Sequence, residues 1–262
     1  MNSSDTQKLR ISVVSYLNSR PFMEGINRSG FSKTIDLQLD IPAVCAAKLL
    51  DGRVDIGLVP VAVIPLMKEY HILTDYCIGA EGPVRSVCLY SQVPLHQIQH
   101  ILLDNQSRTS VALVKILCQK LWKISPAYTL ASDGYETQIK EFVAGVVIGD
   151  RTFALTNKYA YCYDLAEAWK TLTGLPFVFA CWVSNKEVGP AFVAAFNEAL
   201  RLGISLAPEV AAKNRDQFPP GADLEHYLTR NIRYNLDELK REGLRQFLEL
   251  LPQSLPAMKI PE

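Results

Sequence analysis

The chain is predicted to fold as an α/β protein of two lobes facing each other across a central cleft, with a helical C-terminal region. Two observations carry this. Short apolar, β-branched runs alternate with amphipathic stretches along residues 11–183, the pattern of strands joined by helices in mainly parallel sheets. Beyond residue 188 the pattern is almost wholly helical. That much helix covers one large sheet unevenly, whereas two smaller sheets can share it. The expected division gives residues 1–90 and 183–262 to the first lobe and 91–182 to the second, with crossings near Tyr90 and Val183. A double crossing leaves a cleft, where small molecules prefer to bind.

Each element follows from its residues. Ile11–Ser15 is β-branched and reads as the first strand. Pro21 suits the first turn of the next helix, because the amide it lacks has no partner there. Ile35–Asp40 alternates apolar and polar residues, as a half-exposed strand does. Ala43–Asp51 has helical spacing and stops at Gly52, which tolerates positive φ. Val54–Val59, Ile72–Ile78 and Val84–Tyr90 read as strands.

After Pro94 a second block supplies a strand at Ile101–Asp104 and an apolar helix at Val111–Trp122. Further strands are expected at Tyr128–Leu130, Val143–Ile148 and Tyr159–Tyr163, and Phe177–Val183 is a buried strand leaving the block. Val188–Leu206 is one helix, Pro208 opens another and Asp223 a third. Asn235 with Glu238 forms a capping box for the last, Leu236–Leu251.

Composition excludes several classes. Lys plus Arg and Asp plus Glu both number 27 in 262 residues, so the basic excess of a nucleic-acid partner is missing. The 48% hydrophobic and 21% charged content is ordinary for a globular chain. The six cysteines have no CxxC spacing and lie mostly in apolar runs, as free thiols in a reducing compartment do. Met1–Arg10 is polar and the apolar run Ile11–Leu17 is broken by Ser12 and Ser15, so no secretory signal is read. The apolar stretches fall short of the roughly 18 residues that span a bilayer. The expectation is a cytoplasmic protein with no membrane partner.

GxGxxG, GxxxxGK[ST], HExxH and GxSxG are all absent. His96 and His100 have helical spacing but no third ligand, and read as a surface pair with no metal.

What remains is a series of hydroxyl- and amide-rich turns. Ser15-Tyr16-Leu17-Asn18-Ser19-Arg20-Pro21 follows a strand and opens a helix, at the sheet edge where ligands bind in open α/β folds. One cap there explains Asn18 or Ser19 but not both. Ser107, Thr109 and Ser110 crowd the start of the next helix, either as a cap or as a cradle for a carboxylate. Arg85 and Ser86 sit where the chain enters the crossing strand; Arg85 serves either a surface ion pair or a bidentate grip on a carboxylate. Asp150, ending a buried strand, serves as a cap or as an acceptor for a substrate hydroxyl. Together these residues suit a small polyanionic acid.

Six blocks then carry a family resemblance. Val14–Pro21, Asp55–Val61, Gly82–Val87, Ser107–Val111, Ile148–Asp150 and Thr173–Trp182 resemble, in order, the blocks of the chorismate dehydratases. Ser19 stands where that family often has threonine, and Arg20 occupies a variable position. The resemblance implies a type II periplasmic-binding-protein-like fold without export. It also implies conversion of chorismate to 3-[(1-carboxyvinyl)oxy]benzoate on the futalosine route to menaquinone. No metal, flavin or nicotinamide cofactor is implied. Asn18 and Ser86 become the expected catalytic residues, with the substrate's own enolpyruvyl carboxylate taking the ring proton. Ser15, Ser19, Arg85, Ser107, Thr109, Ser110 and Asp150 are the expected substrate-binding residues. Two rivals share the scaffold: an anion-binding module without catalysis, and the synthase that makes 1,4-dihydroxy-6-naphthoate.

Overall fold

Strand order separates the chain into two mixed sheets in a computed structural model that describes residues 8–251. Residues 1–7 and 252–262, assigned above to the first lobe, lie outside the described residues. The chain opens with β1 (Leu9–Val14), α1 (Arg20–Arg28), β2 (Ile35–Asp40), α2 (Pro42–Leu50), β3 (Ile56–Pro60) and β4 (His71–Ala80). The middle supplies β5 (Val87–Ser91), β6 (His100–Leu103), α3 (Arg108–Leu117), β7 (Ala127–Leu130), β8 (Val143–Ile148), β9 (Tyr161–Asp164) and α4 (Leu165–Thr173). The rest is β10 (Phe177–Ser184), α5 (Pro190–Ser205), α6 (Ala207–Lys213), α7 (Leu224–His226), β11 (Arg233–Asn235) and α8 (Glu238–Glu249).

The first sheet has the order β11-β4-β10-β3-β1-β2 and the second β7-β6-β8-β5-β9. Both crossings therefore differ from expectation. β5 belongs to the second sheet and β10 to the first, so the chain crosses at 81–86 and again at 174–176, and Tyr90 and Val183 lie inside strands. Both strands are buried throughout, so their own residues do not reveal which sheet they join. The sheets are also less parallel than predicted. β1 runs parallel to β2 and β3, and β6 to β7 and β8. β10 is antiparallel to β3 and β4, and β5 to β8 and β9. Alternating strands and helices predict parallel pairing only where a helix carries the chain back over its own sheet. At the two crossings it does not.

Around this frame α1 packs on α5 at very short range. A β-carbon on Gly25 would stand 2.0 Å from the Ala199 carbonyl, and one on Gly203 1.9 Å from that of Pro21, so only glycine permits the approach. Two local readings also change. Asn235 spends its backbone on β11 opposite Tyr76, and the cap of α8 moves to Asp237, whose carboxylate accepts from Lys240 N at 3.0 Å. Asp223 caps a single turn, accepting from His226 N at 2.9 Å, and a π-turn over Tyr227–Asn231 continues it. His96 sits in a 3₁₀ turn and His100 in β6, so they share no helix face. Among the described residues no three His, Cys, Asp or Glu side chains cluster to hold a metal, and no helix is long and apolar enough to cross a membrane.

Candidate active site

Three chain turns converge between the sheets: the 3₁₀ turn Leu17–Ser19 after β1, the start of α3, and the Gly149 turn after β8. The entry to β5 meets them. Together they line a narrow cleft between the two sheets. Its polar lining includes Asn18, Ser86, Ser107 and Ser110, set among apolar walls such as Val84 and Phe179. No arginine, lysine, histidine or carboxylate side chain is among the lining residues.

Each donor is held for a reason. Ser107 is the N-cap of α3, and its hydroxyl oxygen accepts from Ser110 N at 3.3 Å and from the Ser110 hydroxyl at 3.1 Å. The first-turn amides of α3 have no partner within the helix, which leaves a positive end for an anion. Ser86 is nearly inaccessible; its carbonyl accepts from Gly149 N at 2.8 Å and its hydroxyl oxygen from the Tyr227 hydroxyl at 2.7 Å. Asn18 lies in the 3₁₀ turn, and its carbonyl accepts from the Tyr234 hydroxyl at 3.0 Å.

The remaining predicted residues lie elsewhere or do other work. Ser19 is fully buried and its hydroxyl donates to the carbonyls of Val14 and, at 2.7 Å, Tyr16, so it ties the turn. Ser15 is exposed and does not line the cleft; its amide donates to the Asp40 carbonyl at 2.9 Å. Thr109 is fully buried, and its hydroxyl oxygen accepts from Ala62 N at 3.1 Å, bridging the two halves of the molecule. Asp150 accepts from Leu17 N at 3.0 and 3.1 Å, so it caps a turn of the other half. Burial raises the Asp150 pKa, partly offset by that amide. Arg85 turns away into a neighbouring cavity that also holds Cys88, Tyr90 and Asp164. Both bridging contacts use backbone amides as donors, a geometry that residue spacing cannot show.

Three tyrosines that the sequence does not mark, Tyr16, Tyr227 and Tyr234, also meet the site. The Tyr16 ring lines the cleft, its hydroxyl donates to the Gln106 side chain, and its face lies on Gly149. A β-carbon at Gly149, where φ is +67°, would stand 2.8 Å from that ring. Burial pushes the Tyr16 phenol above its ordinary pKa, so it stays protonated. Asp104 underlies this contact: it is fully buried, accepts from Gln106 N at 2.8 Å and pairs with Arg151. Tyr16 lies within the first hydroxyl- and amide-rich turn, where spacing alone does not mark its ring. Tyr227 and Tyr234 lie in the C-terminal segment, beyond the six blocks that carry the resemblance.

Comparison with known proteins gives a consistent picture. Residues 9–253 match the family described as menaquinone biosynthesis. The chain is 31% identical over 268 residues to a chorismate dehydratase of Thermus thermophilus, covering 94% of this chain and 96% of that protein. Among solved structures, protein AF1704 of Archaeoglobus fulgidus superposes with a TM-score of 0.71 at 15% identity, covering 94% of this chain and 97% of that one. The alkanesulfonate-binding protein SsuA of Xanthomonas axonopodis, bound to MOPS, does so with a TM-score of 0.63 at 15% identity, covering 94% of each chain. A Candida albicans protein described as having the generic periplasmic binding protein fold matches with a TM-score of 0.57 at 12% identity, over 93% of this chain and 89% of that one. These similarities establish the periplasmic-binding-protein-like fold.

Proposed function

Because the chain belongs to the menaquinone-biosynthesis family, we propose that it is a chorismate dehydratase, a hydro-lyase that removes water from chorismate to give 3-[(1-carboxyvinyl)oxy]benzoate. The observation that supports this best is the cleft itself, whose polar lining is a set of neutral donors around Asn18, Ser86, Ser107 and Ser110. A dianionic substrate needs donors, and the α3 N-terminus with Ser107 and Ser110 receives one carboxylate in this reading. Asn18 and Ser86, both in the cleft lining, hold the reacting edge of the ring in this reading.

The chemistry asks little of the protein. One C–H bond and one C–O bond break, the proton and hydroxide leave as water, and the ring becomes aromatic. The change is redox-neutral, so it requires no electron carrier. The cleft lining holds no ordinary general base, and the substrate's own carboxylate takes the ring proton in this reading. The protein's contribution is a fixed geometry for that transfer and for the departing oxygen. Arg85 then acts through its backbone, presenting Ser86, and not as a carboxylate clamp. The free thiols fit a reducing compartment, and in this reading the reaction runs in the cytoplasm.

Incubation of the purified protein with chorismate alone, followed by chromatography, tests the assignment. The enolpyruvyl-oxybenzoate is expected as product. Unchanged chorismate beside a binding signal overturns the dehydratase and leaves an anion-binding protein.

A further inference from the structure

Tyr227 comes from the C-terminal helical region, to which the sequence assigned no role. It is almost fully buried, and its ring meets Phe153 edge-on at 5.1 Å between centroids. It opens the π-turn Tyr227–Asn231, whose Asn231 side chain donates to the Pro83 carbonyl at 2.9 Å. A π-turn often marks a functional position. Here it fastens one segment to the crossing turn at two points, Pro83 and Ser86.

The phenol's proton is spent on the Ser86 hydroxyl oxygen at 2.7 Å. The Asn18 side chain lies against the same phenol. Burial raises the Tyr227 pKa, so the phenol remains a donor across the working pH range. A serine hydroxyl has one proton. Among the described residues the Ser86 hydroxyl donates to no protein group, and Ser86 lines the cleft. With Tyr227 occupying its oxygen, the Ser86 proton is left for whatever fills the cleft.

We propose that Tyr227 is a positioning residue that fixes Ser86 as a hydrogen-bond donor toward the departing hydroxyl of the substrate. This rests on the dehydratase reading. As the C–O bond breaks, its electron pair goes to the leaving oxygen, which takes up the proton released from the ring carbon and departs as water. The Ser86 donor stabilises the negative charge that builds on that oxygen. Such donation, strengthened by a second donor behind it, acts mainly in the transition state.

Tyr227→Phe keeps the ring and removes only the hydroxyl. The expected result is a fall in kcat of roughly 10-fold with KM within about twofold, since the lost contact supports the transition state more than the ground state. Adding Tyr227→Phe to Ser86→Ala is expected to cost much less than it does in the wild type, because the phenol acts chiefly through Ser86. Equal activity of Tyr227→Phe and wild type overturns the proposal while the dehydratase reading stands. An equal loss in the Ser86→Ala background, in step with a lower melting temperature, also overturns it and assigns Tyr227 to packing alone. A wild-type protein inert toward chorismate overturns both readings.

Discussion

Ser86 and Arg85 are neighbours in the chain and face two different chambers. The Ser86 cleft is narrow, and its donors are neutral hydroxyls and an amide. The Arg85 cavity is wider and carries Asp164, Glu167, His226 and the thiols of Cys88 and Cys162. The two chambers meet at the backbone. Arg85 adopts φ of +68°, a left-handed conformation that costs a non-glycine residue on the order of 1 kcal/mol. Its amide is held there by Asp164 Oδ2 at 2.7 Å. One strained residue thus separates a charged chamber from an uncharged one, and the proposed elimination uses only the second.

The largest effect expected from this contrast is at the cleft. Ser86→Ala or Asn18→Ala should lower turnover of chorismate by about 100-fold or more, with an unchanged far-ultraviolet circular dichroism spectrum. Activity near wild type in both would remove the cleft from the chemistry. Next comes Asp164, whose carboxylate accepts from Arg85 N and also caps α4 through Ala166 N at 3.0 Å and Glu167 N at 3.2 Å. Asp164→Ala should lose about 2–3 kcal/mol of stability in urea titration, the sum of a cap and a buried backbone contact. An unmoved midpoint would mean that the left-handed turn holds itself.

Arg85→Gly sharpens the contrast by removing the side chain and relieving the backbone. Stability should stay within about 1 kcal/mol of wild type, on the favourable side if the relief outweighs the added freedom of the unfolded chain. KM for chorismate should stay within about twofold; a tenfold rise would put Arg85 in the cleft and erase the distinction. Smaller still are two null effects. Cys162 is exposed and the other five cysteines are buried, so a single thiol should react quickly with a maleimide, and dehydration should survive its modification. Because burial raises the Tyr16 and Tyr227 phenols, neither loses its proton near neutrality. The pH profile of kcat/KM should therefore be flat from about pH 6 to 9. A bell within that range would place a titrating group in the cleft.

Much of the architecture was legible in the residues, because periodicity reports which face of an element is buried. Ile35–Asp40 and Val143–Ile148 form strands with the bounds the pattern predicted. The turns richest in hydroxyls and amides did bring Asn18, Ser86, Ser107 and Ser110 to one cleft. Within those turns the sorting failed. Ser19 and Thr109 are the right chemical type but face inward to bind backbone, and Ser15 faces out. Spacing along a turn does not say which hydroxyl the fold consumes.

The amino-acid order alone thus determined most of the strand and helix pattern and a donor-rich, charge-poor set of turns, since each depends on near neighbours in the chain. Tertiary structure alone decided which strands exchange between sheets, that Arg85 and Ser86 part company, and that Tyr227 reaches Ser86 across 141 positions. Those outcomes depend on one backbone dihedral angle and on contacts between distant segments, which local preference does not encode.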